Sequence, residues 1–187
     1  MAANLIRRGV LGLLAGACLA ACAAGPAAPV PDAAAMETRI FLVRHAEKEK
    51  GDDPGLTPEG KARAAALSAR LGGEGITEIW STKTRRTEAT AAPLASALGL
   101  TVQAYEAGAL QALAESLRQR PGAVVVVGHS NTTGELASAL GAEPGPAIDE
   151  AAEFDRLYEI SIDRDGLVRS RIERYGAAPP NPTGASE

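Results

Sequence analysis

Ala123-Val124-Val125-Val126-Val127-Gly128 is the most apolar strand predicted in the chain. A run that is hydrophobic at every position is typical of a strand covered on both faces at the centre of a parallel sheet. Outward from this run, segments typical of strands alternate with segments typical of helices. Strands are expected over 38–44, 76–81, 101–105, 157–163 and 167–175, and helices over 58–71, 84–97, 109–118 and 131–140. This alternation predicts an α/β fold, a three-layer α/β/α sandwich with a largely parallel central sheet.

The composition is that of an ordinary globular protein. Of the 187 residues, 45% are hydrophobic and 22% are charged, which excludes a disordered or fibrous chain. An aromatic share of 3% disfavours a stacking surface for single-stranded nucleic acid, and a net charge of -4 disfavours a broad basic surface for phosphate backbones. We therefore expect no nucleic-acid partner, and we expect any bound anion to be held locally.

The N-terminus is typical of a lipoprotein signal peptide, predicted over residues 1–21. Arg7 and Arg8 precede an apolar run that is too short to span a membrane comfortably. The run ends in Leu19-Ala20-Ala21-Cys22, which resembles the bacterial lipobox, in which the cysteine is acylated and begins the mature chain. The alternative is a plain secretory signal with an ordinary thiol at Cys22. We expect a periplasmic protein anchored to a membrane, the outer membrane in a Gram-negative cell, only through lipid on Cys22.

The remaining chain divides into a tether, one domain and a tail. Residues 22–36 are rich in Ala and Pro and have too few bulky apolar groups to fold, and residues 177–187 form a second such stretch, predicted to be disordered. The folded domain is therefore predicted over residues 37–176. No internal repeat is present in the sequence.

The chain has only two histidines, His45 and His129, so any chemistry that needs imidazole is confined to them. Each histidine directly follows one of the two most strongly predicted strands. Ligands of open α/β sheets bind beyond the carboxyl ends of strands. We therefore expect Arg44-His45 and His129-Ser130 to face one crevice, although 84 positions separate the histidines.

Four short motifs resemble those of the histidine phosphatase superfamily, also known as the phosphoglycerate mutase-like family. They are Leu42-Val43-Arg44-His45-Ala46-Glu47, Leu56-Thr57-Pro58-Glu59-Gly60, Ser81 with Arg86-Thr87 and Thr90-Ala91, and Val127-Gly128-His129-Ser130-Asn131. The motifs follow the family's order and spacing over almost all of residues 38–175. The resemblance implies the family's fold, with His45 as the nucleophile that takes the phosphoryl group. It also implies that Arg44, Arg86 and His129 complete the pocket.

These residue types suit phosphoryl transfer, because the transferred group spreads negative charge over its equatorial oxygens and needs fixed cationic donors. Arginine binds two oxygens with its planar fork and keeps its proton. A neutral imidazole attacks phosphorus and the phosphohistidine then yields to water, so no metal or cofactor is required. Ser130 and Asn131, at the start of a helix, are further candidate phosphate ligands. The spacing to Thr90-Ala91 favours Arg86 over Arg85 as the inward residue, and helical neighbours point about 100° apart, so only one of the two should reach the phosphate.

The leaving oxygen also needs a proton. Family members often supply it from a carboxylic acid on a loop after the third strand, and Glu106 occupies that place; Glu47 and Glu153 are alternatives. Some short members are thought to act on phosphoramidates, whose nitrogen leaving group depends less on such an acid. The charged segment 48–53 is expected to be a solvated loop or to border the pocket.

Two rival interpretations of the histidine motifs are weaker. Residues 128–132 resemble the Gly-x-Ser-x-Gly nucleophile elbow of α/β-hydrolases, but Thr132 replaces the final Gly and no histidine follows His129. His45 and Glu47 with His129 mimic a two-histidine, one-carboxylate iron site, which usually occurs on a β-barrel. We therefore expect neither a hydrolase triad nor a metal site.

The sequence thus predicts a metal-independent phosphatase that hydrolyses a phosphomonoester or phosphoramidate through a phosphohistidine on His45. The expected substrate is a phosphorylated small molecule or a phosphoprotein. Phosphoglycerate mutase-type transfer is an alternative, although residues 100–122 are too few for the insertions of mutases. A non-catalytic phosphate- or phosphoprotein-binding lipoprotein is another, although His45, Arg44, Arg86 and His129 are all present.

Overall fold

The computed structural model describes residues 37–178. The strands are β1 (Thr38–Arg44), β2 (Ile76–Ser81), β3 (Val102–Ala104), β4 (Gly122–Gly128), β5 (Arg156–Ile162) and β6 (Val168–Arg174). The helices are α1 (Pro58–Leu71), α2 (Arg85–Leu98), α3 (Leu110–Arg118) and α4 (Ser130–Ala139). The predicted α/β fold is confirmed, and the predicted elements lie close to these bounds. The predicted signal peptide and tether, and residues 179–187 of the predicted tail, lie outside the described residues.

The six strands form one mixed sheet in the order β3-β2-β4-β1-β5-β6. β3, β2, β4 and β1 pair in parallel, whereas β5 pairs antiparallel with both β1 and β6. The antiparallel hairpin at one edge needs only a short turn, with Gly166 in the left-handed region at φ 79°. In this strand order, the parallel strands β4 and β1 lie at the centre of the sheet.

The core has two layers because successive side chains of a strand point to opposite faces of a sheet. Val124 and Val126 of β4 pack with the leucines of α3 and with Leu136 of α4. Val125 and Val127 pack on the other face, with leucines of α1 and α2. All four valines are buried. Coverage of both faces explains why β4 is apolar at every position.

The start of α1 is locked onto the loop that follows β1. Thr57 caps the helix, its Oγ1 accepting a hydrogen bond from Gly60 N at 3.1 Å, and Pro58 occupies the first turn, where no N–H is needed. Gly60 lies so close to Glu47 that an added Cβ would stand 2.1 Å from the Glu47 carbonyl oxygen. Arg63, one turn later, donates to both carboxylate oxygens of Glu47. These contacts fix the backbone just beyond His45.

Over residues 37–178, no helix combines the length and the hydrophobicity that crossing a membrane would need.

Candidate active site

The pairing of β1 with β4 brings the two histidines together. Arg44 lies opposite Gly128 in the parallel register, so the next residues, His45 and His129, leave the sheet side by side. Their ring centroids are 5.5 Å apart and their planes make an angle of 67°. Gly128 has no room for a side chain, since a Cβ there would stand 2.7 Å from the Tyr105 hydroxyl.

His45 is buried and its hydrogen bonding determines its tautomer. Nδ1 lies 2.8 Å from the Ala46 carbonyl oxygen, which can only accept, so Nδ1 carries the proton and Nε2 keeps the lone pair. Burial is the main cause that lowers the pKa of His45 from 6.5 to about 3. The hydrogen bond to Ala46 opposes this shift, and the charges of Arg44 and Arg86 increase it. His45 is therefore a neutral imidazole with a free Nε2 at neutral pH.

Two backbone contacts hold the turn that carries His45. His45 N donates to Gly128 O at 2.9 Å, which extends the β1–β4 pairing by one residue. Ala46 N donates at 2.9 Å to the Thr90 hydroxyl, which in turn donates to Arg86 O at 2.7 Å. The imidazole is thus fixed to both β4 and α2.

The Arg44 guanidinium holds the segment 149–154 over the site. Its Nη1 donates to the carbonyl oxygens of Asp149 at 3.1 Å and Glu153 at 2.9 Å, and its Nη2 donates to that of Glu150 at 2.8 Å. The guanidinium carbon also lies 4.1 Å from the ring centroid of Phe154. Arg44 therefore uses its outer nitrogens for the loop, and its Nε is buried without a partner.

Phe154 is part of the site although sequence reasoning missed it. Its ring centroid lies 6.2 Å from that of His45, so it covers the imidazole from the side of the segment 149–154. The carbonyl groups that orient this segment belong to the backbone, and backbone groups leave no signal in a sequence. Only the aromatic residue itself, in a chain with few aromatics, could have drawn attention to the position.

Arg86 faces His129, whereas its neighbour Arg85 does not. Arg86 Nη2 donates to His129 Nδ1 at 3.4 Å. Arg85 is exposed and lines a cavity of about 660 Å³ between α1, α2 and the loop 49–56. Asp53, from that loop, places its carboxylate 3.7 Å from Arg86 Nη1. Burial, followed by the charges of Arg86 and Arg44, lowers the pKa of His129.

Two unpartnered donors belong to the arginines of this cluster. Within residues 37–178, three buried side-chain polar atoms have no hydrogen-bond partner: Nε of Arg44, Nε of Arg86 and Oη of Tyr175. A buried donor without an acceptor costs about 1–3 kcal/mol. Two such N–H groups on permanently charged guanidiniums, beside two imidazoles, are the donors that a bound oxyanion would satisfy.

Ser130 and Asn131 lie at the start of α4 beside a second, smaller cavity. The Ser130 hydroxyl donates to a carboxylate oxygen of Glu150 at 2.6 Å. Both residues line a cavity of about 310 Å³ together with the segment 144–150. The carboxylate next to Ser130 would repel an anion, so binding of the phosphoryl group by Ser130 and Asn131 stays a prediction.

The three candidate proton donors differ in their surroundings. Glu47 is bonded to Arg63, and the Glu153 carboxylate pairs with Arg156 and with an exposed arginine of β6. Burial alone would raise the pKa of Glu153, but the hydrogen bonds from Arg156 hold it below its usual range. Both carboxylates are committed to ion pairs that stabilise the fold. Glu106 is exposed after β3, and its carboxylate makes no hydrogen bond or ion pair in the described part of the chain.

The described residues also do not assemble the two-histidine, one-carboxylate arrangement. Glu47 turns its carboxylate to Arg63, and no three His, Cys, Asp or Glu side chains between residues 37 and 178 lie close enough to share a metal ion.

Comparison with solved structures shows the same fold in several phosphatases. The protein histidine phosphatase SixA, complexed with tungstate, has a TM-score of 0.59 and 18% identity, and the match covers 73% of this chain and 96% of SixA. A mycobacterial glucosyl-3-phosphoglycerate phosphatase has a TM-score of 0.57 and 17% identity, covering 76% of this chain and 100% of its own. A phosphoserine phosphatase from Entamoeba histolytica has a TM-score of 0.54 and 15% identity, and the match covers 75% of this chain and 97% of the phosphatase.

Sequence comparison adds a match to a family model over part of the chain. No curated protein sequence matches the chain. The family model described as histidine phosphatase superfamily (branch 1) matches residues 40–107, a span that contains His45 and Arg86. The chain is thus similar in sequence to the histidine phosphatase superfamily over residues 40–107, and it shares its fold with the phosphatase structures named above.

Proposed function

We propose that this protein is a phosphatase that transfers the phosphoryl group of a phosphomonoester or phosphoramidate to His45 and then to water. The observation that carries the proposal is the pair of buried, unpartnered Nε atoms of Arg44 and Arg86 beside a neutral imidazole. A phosphoryl group between them would accept both N–H groups, and its phosphorus would face His45 Nε2. His129 would lie against the same group from the end of β4.

In the first step, the lone pair of His45 Nε2 attacks phosphorus, and the bond from phosphorus to the leaving oxygen or nitrogen breaks. The leaving group departs with that electron pair and takes up a proton. Negative charge spreads over the three equatorial oxygens as the bond breaks, and the fixed donors of Arg44 and Arg86 stabilise that charge. The low pKa of His45 ensures that its lone pair is free for the attack.

In the second step, water attacks the phosphorus of the phosphohistidine and releases inorganic phosphate. Nδ1 keeps its proton throughout and donates a hydrogen bond to the Ala46 carbonyl oxygen, so the phosphorylated ring is a cation. A cationic ring leaves as neutral imidazole when its bond to phosphorus breaks. The hydrogen bond to Ala46 thus prepares His45 both for attack and for departure.

The proton for the leaving group is assigned to Glu106, the one candidate acid that no arginine holds. A phosphoramidate needs this acid less than an alkyl phosphate does. The names of the similar structures include a protein histidine phosphatase and a phosphoserine phosphatase, so both leaving-group types are found on this fold. We therefore propose that the substrate of this chain belongs to one of these two classes.

The test of the proposal is hydrolysis of p-nitrophenyl phosphate in excess EDTA. The wild type should turn over and form an acid-labile phosphoenzyme, and His45→Asn should do neither. Arg86→Gln should lower kcat/KM by about 100-fold or more, the usual effect of removing one donor to transition-state charge. The matched control is Arg85→Gln, which makes the same charge change on the adjacent, exposed residue and should stay close to wild type. Turnover by His45→Asn would rule out the phosphohistidine.

An assay with 3-phosphoglycerate as substrate, together with the test for the phosphoenzyme, distinguishes the two alternatives. A mutase would move phosphate from 3-phosphoglycerate to the neighbouring oxygen of the same compound, whereas a phosphatase releases inorganic phosphate. A non-catalytic binder would bind phosphate and form no phosphoenzyme.

We further propose that the mature protein is anchored in a bacterial membrane through lipid on Cys22. The support is the lipobox-like stretch Leu19-Ala20-Ala21-Cys22 after an apolar run. Cys22→Ser, or treatment with globomycin, should change the mass of the protein and release it from membranes. An unchanged mass and membrane fraction would contradict the anchor.

A further inference from the structure

We propose that the hydroxyl of Thr82 determines which nitrogen of His129 faces the phosphoryl group, and that Thr82 is thereby a positioning residue of the active site. Thr82 follows β2 directly and is buried, and its Oγ1 lies 2.9 Å from His129 Nε2. It touches the ring on the side away from Arg86, which contacts Nδ1. The inference rests on the proposed function, in which His129 contacts the phosphoryl group.

The contact with Arg86 gives a first indication of the direction of the hydrogen bond between His129 Nε2 and Thr82 Oγ1. A guanidinium can only donate, so His129 Nδ1 must accept from Arg86 Nη2. A neutral imidazole that accepts at one nitrogen carries its proton on the other. Nε2 therefore carries the proton and donates it to Thr82 Oγ1.

The same direction follows independently from the other end of the network. The Thr87 hydroxyl lies 2.8 Å from the Thr82 carbonyl oxygen and 3.0 Å from that of Thr84, and because carbonyl oxygens can only accept, the single proton of Thr87 goes to one of these two. The two threonine hydroxyls lie 3.1 Å apart, and Thr82 must then donate to Thr87. A hydroxyl that has given its only proton to Thr87 can only accept from His129.

This arrangement leaves the Nδ1 lone pair of His129 beside Arg86 in the empty site. A phosphate monoanion that binds there can pass its proton to Nδ1, so that the P–O–H group becomes an ionised oxygen and the ring becomes an imidazolium. The imidazolium then donates through Nδ1 to the phosphoryl oxygen and through Nε2 to Thr82. Without the Thr82 hydroxyl, one N–H of the imidazolium would be buried without an acceptor.

The charged groups around His129 define what Thr82 adds. Arg86 of α2 and Arg44 at the end of β1 both oppose a positive ring, and they act together with burial to lower the pKa of His129. His45 faces the ring as a neutral group. The Glu150 carboxylate lies at the start of α4, where it accepts a hydrogen bond from the Ser130 hydroxyl. Among these contacts, the Thr82 hydroxyl is the group that accepts a hydrogen bond from the ring.

The first test is the tautomer of His129, which needs no substrate. In the His45→Asn background of the full chain, His129 is the only histidine, so its nitrogen NMR shifts are assigned without ambiguity. The Nε2–H tautomer is expected there and with Thr82→Ser, which keeps the hydroxyl. With Thr82→Val the balance should shift toward the Nδ1–H tautomer, because Nε2–H then has no acceptor and the 3.4 Å contact from Arg86 to Nδ1 is weaker than the 2.9 Å contact to Thr82. The matched control is Thr133→Val, since the buried Thr133 hydroxyl donates to the His129 backbone carbonyl at 2.6 Å and does not touch the ring.

The second test is activity, measured with His45 present. Thr82→Val should lower kcat/KM for p-nitrophenyl phosphate by about fivefold to tenfold, the value of one buried hydrogen bond. It should also move the alkaline limb of the kcat profile about one pH unit lower, because the imidazolium loses an acceptor. Thr82→Ser should restore both. A merely structural role would change the free energy of unfolding without moving that limb.

An unchanged tautomer and an unchanged pH profile in Thr82→Val would overturn the inference. So would loss of the Nε2–H tautomer in Thr82→Ser. If Thr82→Val does not fold, Thr82→Ala removes the same hydroxyl with less crowding, and the same results apply. A wild type that hydrolyses no phosphate compound would contradict the proposed function, while the tautomer measurements would still decide the role of Thr82.

Discussion

The low pKa of His45 predicts that the folded protein loses stability on acidification in a way that one substitution removes. His45 has a pKa of about 3 when folded, against 6.5 as its ordinary value in the unfolded chain. Between these values the unfolded chain binds a proton that the folded protein refuses, so the free energy of unfolding falls as the pH falls below 6.5. At pH 5 the loss amounts to about 2 kcal/mol, and it is absent at pH 7 and above.

The substitution is His45→Asn, which cannot titrate but can still donate a hydrogen bond to the Ala46 carbonyl. Urea denaturation at pH 7 and pH 5 should show that the wild type loses about 2 kcal/mol more than the variant on acidification. Any cavity left by the smaller side chain affects the variant equally at both pH values and cancels from the comparison. Imidazole NMR of the wild type should show the His45 ring still neutral at pH 5.

Equal losses of stability in the two proteins between pH 7 and pH 5, or a titration midpoint of His45 above about 5, would contradict the low pKa of His45.

Three further predictions test other contacts. Gly60→Ala should destabilise the protein by about 1–3 kcal/mol in urea unfolding, because the new methyl group meets the Glu47 carbonyl oxygen. Gly73 has open space around it, so Gly73→Ala is the control and should not have this effect. Equal effects of the two substitutions would contradict the close approach at Gly60. Asp53→Asn should tighten binding of inorganic phosphate about twofold to fivefold in calorimetry, because a carboxylate then no longer competes for Arg86, and Asp52→Asn is the charge-matched control. Weaker binding would instead mean that Asp53 orients Arg86. Glu106→Gln should lower kcat for an alkyl phosphate by about tenfold or more and leave kcat for p-nitrophenyl phosphate nearly unchanged, because p-nitrophenolate is a good leaving group that needs no proton. Equal effects on both substrates would show that Glu106 is not the proton donor.

The placement of the two histidines could be predicted from the sequence because it depends on features that sequences express. An all-apolar run marks β4, a β-branched and aromatic run marks β1, and parallel strands present their carboxyl ends at one edge of a sheet. The expectation that one crevice collects His45 and His129 follows from these features. The structure adds the register, with Arg44 opposite Gly128.

Other parts of the site depend on contacts that a sequence does not express. The guanidinium of Arg44 binds carbonyl groups of residues 149–153, and every residue type has a carbonyl group. Glu150 meets Ser130 through the path of an irregular segment, whose course no periodic pattern describes. Thr82 looks like any threonine at the end of a strand, and its contact with His129 depends on the direction of one side chain. Side-chain direction in loops is what pattern reasoning lacks.

The register of β1 and β4 has a consequence for how such a protein can change over generations. The spacing of the two imidazoles is set by a ladder of backbone hydrogen bonds, which substitutions of side chains scarcely alter. The loops 48–56 and 144–154 border the site without setting that spacing. Insertions and substitutions in these loops can therefore change which molecules enter while the distance between the two histidines stays constant. A scaffold of this kind can acquire new substrates without first losing its chemistry.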